Sequence, residues 1–425
     1  MNRNVLIVTY YWPPSGGSGV QRFLKFCKYL PEFGVTPYVL TVSNPTYPSQ
    51  DPSLSKEVPD QVNVFKSFSL EPFDLYAFLK NESKSEVAAP TAPLSSGSMA
   101  AKIASWIRAN VFVPDARAGW LATARRKALN IMKSNDIDCI ITTGPPHSTH
   151  FIGRYIQKKL GAFWIADFRD PWTQIHYNQI LPRTRFIRWF DNTLEKNILR
   201  NADEVIVVSP TMAHVQKRIF ERNYRVITNG FDPADFRGVG SHDTSHKKYV
   251  IRHVGRINEA SVPHSFFEAL GRLEDPTVLK VEFIGNVHHK VQEFIDQYHL
   301  QDCVTIKPYI PHNEAIKAMK SADLLLLVIP DIKDNELILT GKLFDYIGAQ
   351  KPIMYIGPSQ GDAAEVIREL NQGYIFGQGE TDKIQAFLSS EKKEDLGLTS
   401  TKFEALENHP YSRKKLTQQL VELIP

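Results

Sequence analysis

Residues 5–23 read VLIVTYYWPPSGGSGVQRF, and this stretch predicts how the fold begins. The run VLIVT is rich in β-branched residues and is typical of a buried strand. Prolines, serines and three glycines (Gly16, Gly17 and Gly19) follow it, and apolar residues then recur at helical spacing from Val20 onward. The chain is therefore expected to pass from a strand through a glycine-rich turn into a helix.

This turn has two interpretations. In the first, Gly16, Gly17 and Gly19 only allow the chain to turn, since glycine tolerates positive φ. In the second, the free amides and positive dipole end of the helix bind an anionic or polar ligand, and the missing side chains let it approach. The dinucleotide fingerprint G-x-G-x-x-G is not matched, because Arg22 stands where the third glycine belongs. We favour the ligand site.

The composition is that of an ordinary soluble protein. The chain has 425 residues, 42% hydrophobic and 23% charged, a length that suggests two domains. Cys27, Cys139 and Cys303 lie far apart in apolar contexts, which favours buried free thiols in a reducing compartment. The first residues predict a strand rather than a signal peptide, and no apolar run reaches the roughly 20 residues that span a bilayer. We expect a cytoplasmic protein, and the net charge of +4 does not indicate nucleic acid.

Residues 102–133 are strongly basic. They carry seven lysines and arginines against one acid, Asp115, with Trp106, Phe112 and Trp120 interleaved. One interpretation is a solvated helix face. The other is a surface that meets anionic lipid headgroups or a phosphorylated acceptor, which would place the protein at the inner face of the cytoplasmic membrane.

Strand-like and helical patterns alternate along both halves of the chain. This alternation predicts an α/β protein whose parallel sheets are covered by helices on both faces. We expect one doubly wound domain over 1–240, with a mobile loop at 80–99, and a second over 248–400, joined by a linker at 238–247. Ligands bind such sheets at the carboxyl ends of the strands, so the site is expected in a cleft between the two domains.

In the second domain, two stretches suit a diphosphate. Arg256 follows Gly255 directly after a strand, and an arginine there can engage a diphosphate through two hydrogen bonds. Gly341 and Lys342 open a helix after Thr340, so free amides and an ammonium group would form an anion site. The alternatives are a surface arginine and an amphipathic helix with ordinary charges.

Two acids accompany this helix. Asp345 lies one turn further on, where its carboxylate could accept hydrogen bonds from a ribose diol. Glu336 precedes the helix and could face a sugar hydroxyl.

In the first domain, two consecutive strands end in polar residues. TTGPPHSTH (142–150) offers His147 and His150, and FRDPW (168–172) offers Arg169 and Asp170. We expect His147, Arg169 and Asp170 at the site, and a structural role for His150.

No metal-binding motif is recognised. CxxC, HExxH and G-x-S-x-G are absent. Asp136-Ile-Asp138 has a D-x-D form, but it precedes a strand and so lies at the wrong end of a parallel sheet. We expect a solvated turn there, no catalytic metal and no cofactor.

Six strings taken in order resemble the family 4 glycosyltransferases, retaining enzymes of the GT-B fold. They are closest to a bacterial subgroup that makes surface polysaccharide. The strings are PPSGGSGVQR (13–22), PDARAGW (114–120), TTGPPHSTH (142–150), DFRDPW (167–172), VGR (254–256) and GKLFDY (341–346). The resemblance covers nearly the whole chain and implies two Rossmann-like domains, with the C-terminal helix at 405–425 returning to the first.

The resemblance also implies roles. A nucleotide-sugar donor would bind the second domain, where Arg256 and Lys342 stabilise the leaving diphosphate and Asp345 matches the second glutamate of the family's E-x7-E motif. A saccharide or lipid-linked acceptor would bind the first domain, and no metal would be needed. The turn at 16–19 would meet the donor phosphate or the acceptor.

On the acceptor side, Asp170 or His147 would orient the acceptor hydroxyl. The resemblance also puts Arg117 and Trp120 there. Arg169 stands at a position where the family commonly has a histidine.

Departures from the family keep other functions open. The position eight residues before Asp345 is Leu337, with Glu336 beside it, and no lysine follows Arg256 within RINEASVPH. A nucleotide-sugar epimerase or hydrolase would turn over the donor without an acceptor. A degenerate nucleotide-sugar-binding module would bind the donor without turnover.

Overall fold

The computed structural model describes residues 3–45, 47, 50–70, 105–107, 109–175, 178, 181–238, 248–390 and 406–425. The loop at 80–99 and, apart from Gly238, the linker at 238–247 lie outside these residues. The chain divides into two compact units, the first of Met1–Thr228 with Arg413–Pro425 and the second of Asn229–Ser412.

The first unit is built on a parallel sheet in the order β3-β2-β1-β4-β5-β6-β7. Its strands are β1 (Arg3–Val8), β2 (Val35–Val42), β3 (Asn63–Ser67), β4 (Cys139–Gly144), β5 (Phe163–Phe168), β6 (Glu204–Val207) and β7 (Arg225–Val226). Its helices before the boundary are α1 (Ser18–Tyr29), α2 (Leu121–Ser134), α3 (His150–Leu160), α4 (Arg185–Asn201) and α5 (Pro210–Lys217).

Strand β1 is apolar from Val5 to Val8 because both of its faces are buried along these four residues. Val5 and Ile7 pack into one hydrophobic cluster, while Leu6 and Val8 pack into the cluster on the opposite face. This alternation follows from the two-residue period of a strand. A strand covered on both faces has no solvent side and therefore consists mostly of apolar residues.

The second unit repeats this design with a parallel sheet in the order β10-β9-β8-β11-β12-β13. Its strands are β8 (Tyr249–Val254), β9 (Leu279–Ile284), β10 (Val304–Lys307), β11 (Leu324–Val328), β12 (Ile353–Ile356) and β13 (Gly373–Phe376). Its helices are α6 (His264–Gly271), α7 (Lys290–Gln297), α8 (His312–Lys320), α9 (Gly341–Gly348), α10 (Asp362–Glu369) and α11 (Thr381–Ser389).

The boundary between the units lies after Thr228 rather than near 240. The reason is packing, since Phe231 and Phe236 belong to the hydrophobic core of the second unit. A Cβ built on Gly348 would lie 2.5 Å from the Phe236 ring, so this glycine lets the ring approach α9.

The chain ends in helix α12 (Arg413–Val421), which is part of the first unit. Leu416 and Leu420 on this helix join the cluster that also contains Val5 and Ile7. The guanidinium of Arg3 donates to the carbonyl of Ile424 (2.8 Å), so the two ends of the chain are tied together.

The α/β class and the two parallel sheets predicted from the sequence are confirmed. Cys27, Cys139 and Cys303 are buried free thiols, as expected. Among the helices that the structure describes, none has the length and apolar character needed to cross a membrane.

Candidate functional site

The glycine-rich turn after β1 leads into the N-terminus of α1. Gly17 precedes the first residue of this helix with φ 101°, a conformation that favours glycine, and Gly16 beside it is half-buried. Glycine offers no side chain to cap the helix, and the first turn of α1 contains no acidic residue. The positive end of this helix dipole is therefore not neutralised by its own first turn.

Gly19 makes room for an arginine. A Cβ built on Gly19 would stand 1.7 Å from Nη1 of Arg169, far inside any real contact. The Arg169 side chain is held over the turn because its Nε donates to the carbonyl of Gly144 (3.3 Å) and its Nη2 to that of Pro145. Burial lowers the pKa of Arg169, and the neighbouring carboxylate of Asp170 opposes that shift. The space that the sequence assigned to a ligand at Gly19 is thus occupied by Arg169 in this unit.

Arg22, which replaces the third fingerprint glycine, is fully buried and paired. Its Nη2 donates to Oδ1 of Asp167 (2.7 Å) and to the carbonyl of Ile227 (2.9 Å), and its Nη1 to that of Thr228 (2.7 Å). Thr143 Oγ1 donates to the other carboxylate oxygen of Asp167 (2.8 Å). This network joins α1, β4, β5 and the chain after β7. The Asp167 of DFRDPW therefore has a structural role in the first unit.

The ends of β4 and β5 lie side by side, as the sequence predicted. Gly144 pairs with Phe168 in the sheet, which brings the chain around His147 next to the chain around Asp170. Asp170 is half-buried, and burial raises its pKa while Arg169 opposes the shift. A carboxyl group of this kind suits a hydrogen bond to a sugar hydroxyl.

His147 is a buried polar side chain at this edge, and its ring nitrogens form no hydrogen bonds with the described residues. It is 6% exposed. Its ring stacks on Trp172 at 5.0 Å with an interplanar angle of 2°, and on Phe168 at 5.6 Å. Burial, with His150 and Arg169 nearby, lowers the pKa of His147 well below its usual value. The ring is therefore neutral and can donate one hydrogen bond and accept another, but it is not a general acid near pH 7.

His150 is fully buried, which favours the structural role expected for it. Trp164 Nε1 donates to Thr142 Oγ1 (2.8 Å), so the Thr142 hydroxyl can donate to Nδ1 of His150 (3.0 Å). A Cβ built on Gly144 would lie 2.7 Å from Nε2 of His150 and 2.9 Å from Nδ1 of His147. Both imidazole rings therefore lie in the space that a side chain at Gly144, the last residue of β4, would need.

Asp115 ties the PDARAGW segment to this edge. Its carboxylate accepts from the amide and hydroxyl of Ser148, both at 2.8 Å, and from the amide of Arg117 at 2.9 Å. Arg117 is buried, with its guanidinium 5.1 Å from the ring centroid of Tyr10. Asp115 therefore links the backbone of Arg117 to that of Ser148, the residue after His147.

Trp120 lies in the core of the first unit. It is 1% exposed, its ring meets Tyr10 edge-on at 5.8 Å, and its Nε1 donates to Ser67 Oγ (2.9 Å). This geometry supports a packing role, and contact with an acceptor would require the core to open.

In the second unit, the end of β8 and the start of α9 meet closely. Gly255 has φ 126°, and a Cβ built on it would lie 2.5 Å from Cε of Lys342. The Lys342 ammonium donates to the carbonyl of Arg256 at 2.6 Å. Burial lowers the pKa of Lys342 to about 8. The side chain is therefore mostly protonated at neutral pH and loses its proton as the pH rises through about 8.

His253 holds Lys342 from inside the sheet. Its Nδ1 lies 2.9 Å from the carbonyl of Leu326, which can only accept, so Nδ1 carries the proton. Nε2 is then an acceptor 3.2 Å from the Lys342 ammonium. Burial and Lys342 lower the pKa of His253 to about 3, which keeps the ring neutral.

The remaining predicted residues of this unit differ in exposure. The side chain of Arg256 is exposed, whereas Asp345 and Glu336 are half-buried. Glu336 lies in a short turn of helix (Asn335–Leu337) whose backbone is 3.2 Å from a Cβ built on Gly361. Thr340 precedes α9 without a side-chain cap, and the first turn of α9 has no acidic residue. An anion at the start of α9 would therefore meet free amides, Lys342 and Arg256.

Asp136 and Asp138 are exposed in the turn before β4, as expected for a solvated turn. Within the described ranges, no group of three or more histidine, cysteine or acidic side chains could hold a metal ion.

Each unit thus places its candidate residues at the carboxyl ends of parallel strands. In one unit these are Gly17, Arg169, Asp170 and His147 at α1, β4 and β5, and in the other Gly255, Arg256 and Lys342 at β8 and α9. Two parallel doubly wound sheets of this kind define the GT-B architecture of glycosyltransferases.

The comparisons agree with that class. The model of Glycosyltransferase Family 4 matches residues 17–235, just over half of the 425 residues. The chain belongs to this family and is a glycosyltransferase. No curated protein matches its sequence.

Solved structures share the fold over nearly the full length. HepE from Anabaena in complex with UDP and glucose is 14% identical, with a TM-score of 0.58 over 99% of this chain and 98% of its own. Sucrose-phosphate synthase from Thermosynechococcus elongatus is 13% identical, with a TM-score of 0.63 over 99% and 98%. WaaG, a glycosyltransferase involved in lipopolysaccharide biosynthesis, is 12% identical, with a TM-score of 0.58 over 99% of both chains. At these identities the likeness is evidence for the fold alone.

Proposed function

We propose that this chain transfers a sugar from a nucleotide-sugar donor to a saccharide or lipid-linked acceptor, with retention of configuration and without a metal. Its proposed role is cell-surface polysaccharide synthesis in a bacterial cytoplasm, at the inner face of the membrane. The observation that carries the proposal is the Lys342 ammonium, fixed by His253 and the Arg256 carbonyl at the carboxyl end of β8. HepE, with the same fold, holds UDP and glucose, and WaaG acts in lipopolysaccharide biosynthesis.

In this proposal the donor diphosphate lies at the start of α9. Negative charge develops on the diphosphate as the bond to the sugar breaks, and preorganised cations lower the free energy of that state. Lys342 is preorganised because Gly255 and His253 fix its side chain. Arg256 is exposed and able to form two parallel hydrogen bonds with the phosphates. Removal of one such group is expected to lower the rate about 10²–10³-fold.

The sugar and ribose would meet two acids, Glu336 before α9 and Asp345 within it. Asp345 is the proposed ribose ligand and Glu336 the proposed sugar ligand. Glu336 takes the place of the family's first glutamate from the adjacent position, and Gly341 brings the backbone close to the phosphates.

The acceptor would bind the edge of the first unit. His147 is neutral, buried and without a partner, so it is suited to orient a hydroxyl group rather than to protonate a leaving group. Asp170 and Arg169 supply an acceptor and a donor of hydrogen bonds beside it. The leaving phosphate would take the proton of the acceptor hydroxyl, so no strong base is required in this arrangement.

The test is a thermal-shift screen against nucleoside diphosphates and nucleotide sugars without added metal. A ligand that binds only the native state raises the melting temperature in proportion to RT ln(1 + [L]/Kd). We expect one nucleotide class to stabilise the protein and Lys342→Met to reduce the effect strongly. Lys351→Met is the matched control, because Lys351 is also a half-buried lysine whose pKa is lowered by burial. Lys351 precedes β12 and therefore lies at the amino ends of the strands, whereas Lys342 lies at their carboxyl ends.

The outcomes separate the candidate functions. Stabilisation by a nucleotide sugar, followed by transfer to an acceptor, supports the proposal. Turnover of the donor without any acceptor would indicate an epimerase or hydrolase, and binding without turnover a degenerate module. A well-folded sample that no nucleotide stabilises would contradict the proposal.

A further inference from the structure

Helix α4 begins with three exposed aromatic side chains. Phe186 is 65% exposed, Trp189 62% and Phe190 38%. The rings lie against one another, with the Phe186 centroid 5.9 Å from that of Trp189 and 6.4 Å from that of Phe190. Contiguous exposed aromatic surface is unusual on a soluble protein and marks a contact site.

The charges on the exposed side of α4 are all positive. The exposed ionisable residues of this helix are Arg185, Arg188, Lys196 and Arg200. Its two acids, Asp191 and Glu195, are fully buried. The helix therefore presents aromatic rings and cations to solvent and turns its carboxylates inward.

A second exposed apolar group joins the first. Trp106 is 49% exposed, Ile107 40% and Val111 60%. Asn110, within one helical turn of all three, donates to the carbonyl of Pro182 (2.9 Å) and accepts from the amide of Thr184 (2.8 Å). The two groups thus flank one hydrogen-bonded junction.

We propose that these residues form a membrane-docking surface that binds the anionic leaflet of a lipid bilayer. This docking surface consists of Trp106, Ile107, Val111, Arg185, Phe186, Arg188, Trp189 and Phe190. Tryptophan and phenylalanine favour the boundary between headgroups and acyl chains, and arginines beside them are attracted to anionic lipid. A second copy of the chain is a poor occupant, because its own docking surface carries the same positive charge.

The buried side of α4 is bonded to the candidate acceptor edge. Asp191 accepts from Trp172 Nε1 (2.9 Å), and Glu195 accepts from the amide (3.1 Å) and hydroxyl (2.5 Å) of Thr173. Trp172 in turn stacks on His147. If the proposed function holds, docking fixes the acceptor-binding residues at a set distance from the leaflet, where a lipid-linked acceptor would present its sugar.

The test is co-sedimentation of the full chain with vesicles of phosphatidylcholine, with and without phosphatidylglycerol. Binding is expected for the vesicles that contain phosphatidylglycerol, and weaker binding at higher salt. The aromatic variant is Phe186→Ser with Trp189→Ser, and the charge variant is Arg185→Gln with Arg188→Gln. The charge variant is expected to weaken binding at least tenfold, since near the surface each arginine contributes about a fivefold change in affinity. The aromatic variant is expected to weaken binding as well, because it removes apolar area that is buried between headgroups and acyl chains.

Matched controls remove the same groups elsewhere. Lys158→Gln with Lys159→Gln removes two exposed charges at the end of α3, and Tyr309→Ser removes a side chain that is 71% exposed in the second unit. Both controls are expected to bind vesicles as the wild type does. Melting temperature and donor-induced stabilisation of every variant show whether it is folded.

Three results would overturn the docking surface. The first is no binding of the wild type to anionic vesicles, and the second is equal binding by the variants and the controls. The third is a dimer in light scattering that the aromatic variant dissociates, which would assign the surface to a second copy. Loss of vesicle binding with intact donor binding supports docking, whereas vesicle binding without any donor binding would refute only the proposed function.

Discussion

Donor binding is expected to weaken as pH rises from 7 to 9, and Lys342→Met is expected to abolish this dependence. Burial lowers the pKa of Lys342 to about 8, so its ammonium loses its proton within this interval. A diphosphate is attracted to the protonated form alone. If only that form binds, the apparent dissociation constant rises roughly tenfold from pH 7 to pH 9, about 1.4 kcal/mol of binding free energy.

Titration calorimetry with the stabilising nucleotide sugar measures this effect. A nucleotide sugar is the suitable probe, because its doubly esterified diphosphate keeps the same charge across the interval. The Lys342→Met variant should bind weakly and with little change between pH 7 and pH 9, while the Lys351→Met control should keep the wild-type slope. A flat wild-type profile, or the same slope in Lys342→Met, would refute the reasoning that places the diphosphate beside this ammonium.

Three further substitutions test the first unit. Asp167→Asn leaves the buried Arg22 guanidinium without its ion pair and is expected to destabilise the protein by about 3–5 kcal/mol in chemical denaturation; a change within experimental error would contradict the structural role. Gly19→Ala drives a Cβ into the Arg169 guanidinium and should reduce transfer with a small loss of stability, whereas unchanged transfer would show that the position of Arg169 is unimportant. His147→Phe removes two unpaired buried nitrogens while keeping a ring on Trp172, so the melting temperature should hold or rise as transfer falls; full activity would exclude His147 from the acceptor site.

The fold could be predicted because its signals are local. An apolar run such as VLIVT, a turn of glycine and proline and a helical pattern recur along the chain, and each is readable within a few residues. The boundary at Thr228 could not be predicted in this way, because it depends on Phe231 and Phe236 packing into the second core. The last strand of the first sheet, β7, spans only Arg225–Val226, and it pairs with Ile206 and Val207 at the edge of that sheet.

The candidate site could be predicted in part for the same reason. Arg256 follows a strand and Lys342 opens a helix, and both placements are local signals of an anion site. The pairing of Arg22 with Asp167 spans 145 residues, and that of His253 with Lys342 spans 89, so no local pattern indicates either. His253 reads as an ordinary core position of β8, and only the structure brings it to the lysine.

The most direct test of the account is transfer of a labelled sugar. The purified protein is incubated with the stabilising nucleotide sugar, labelled in its sugar, and with lipid and saccharide fractions of bacterial envelopes, without added metal. The account predicts that label moves to an acceptor with its anomeric configuration retained and that Lys342→Met lowers this rate about 10²–10³-fold. Donor that is consumed equally with and without acceptor, or bound and never consumed, would contradict it.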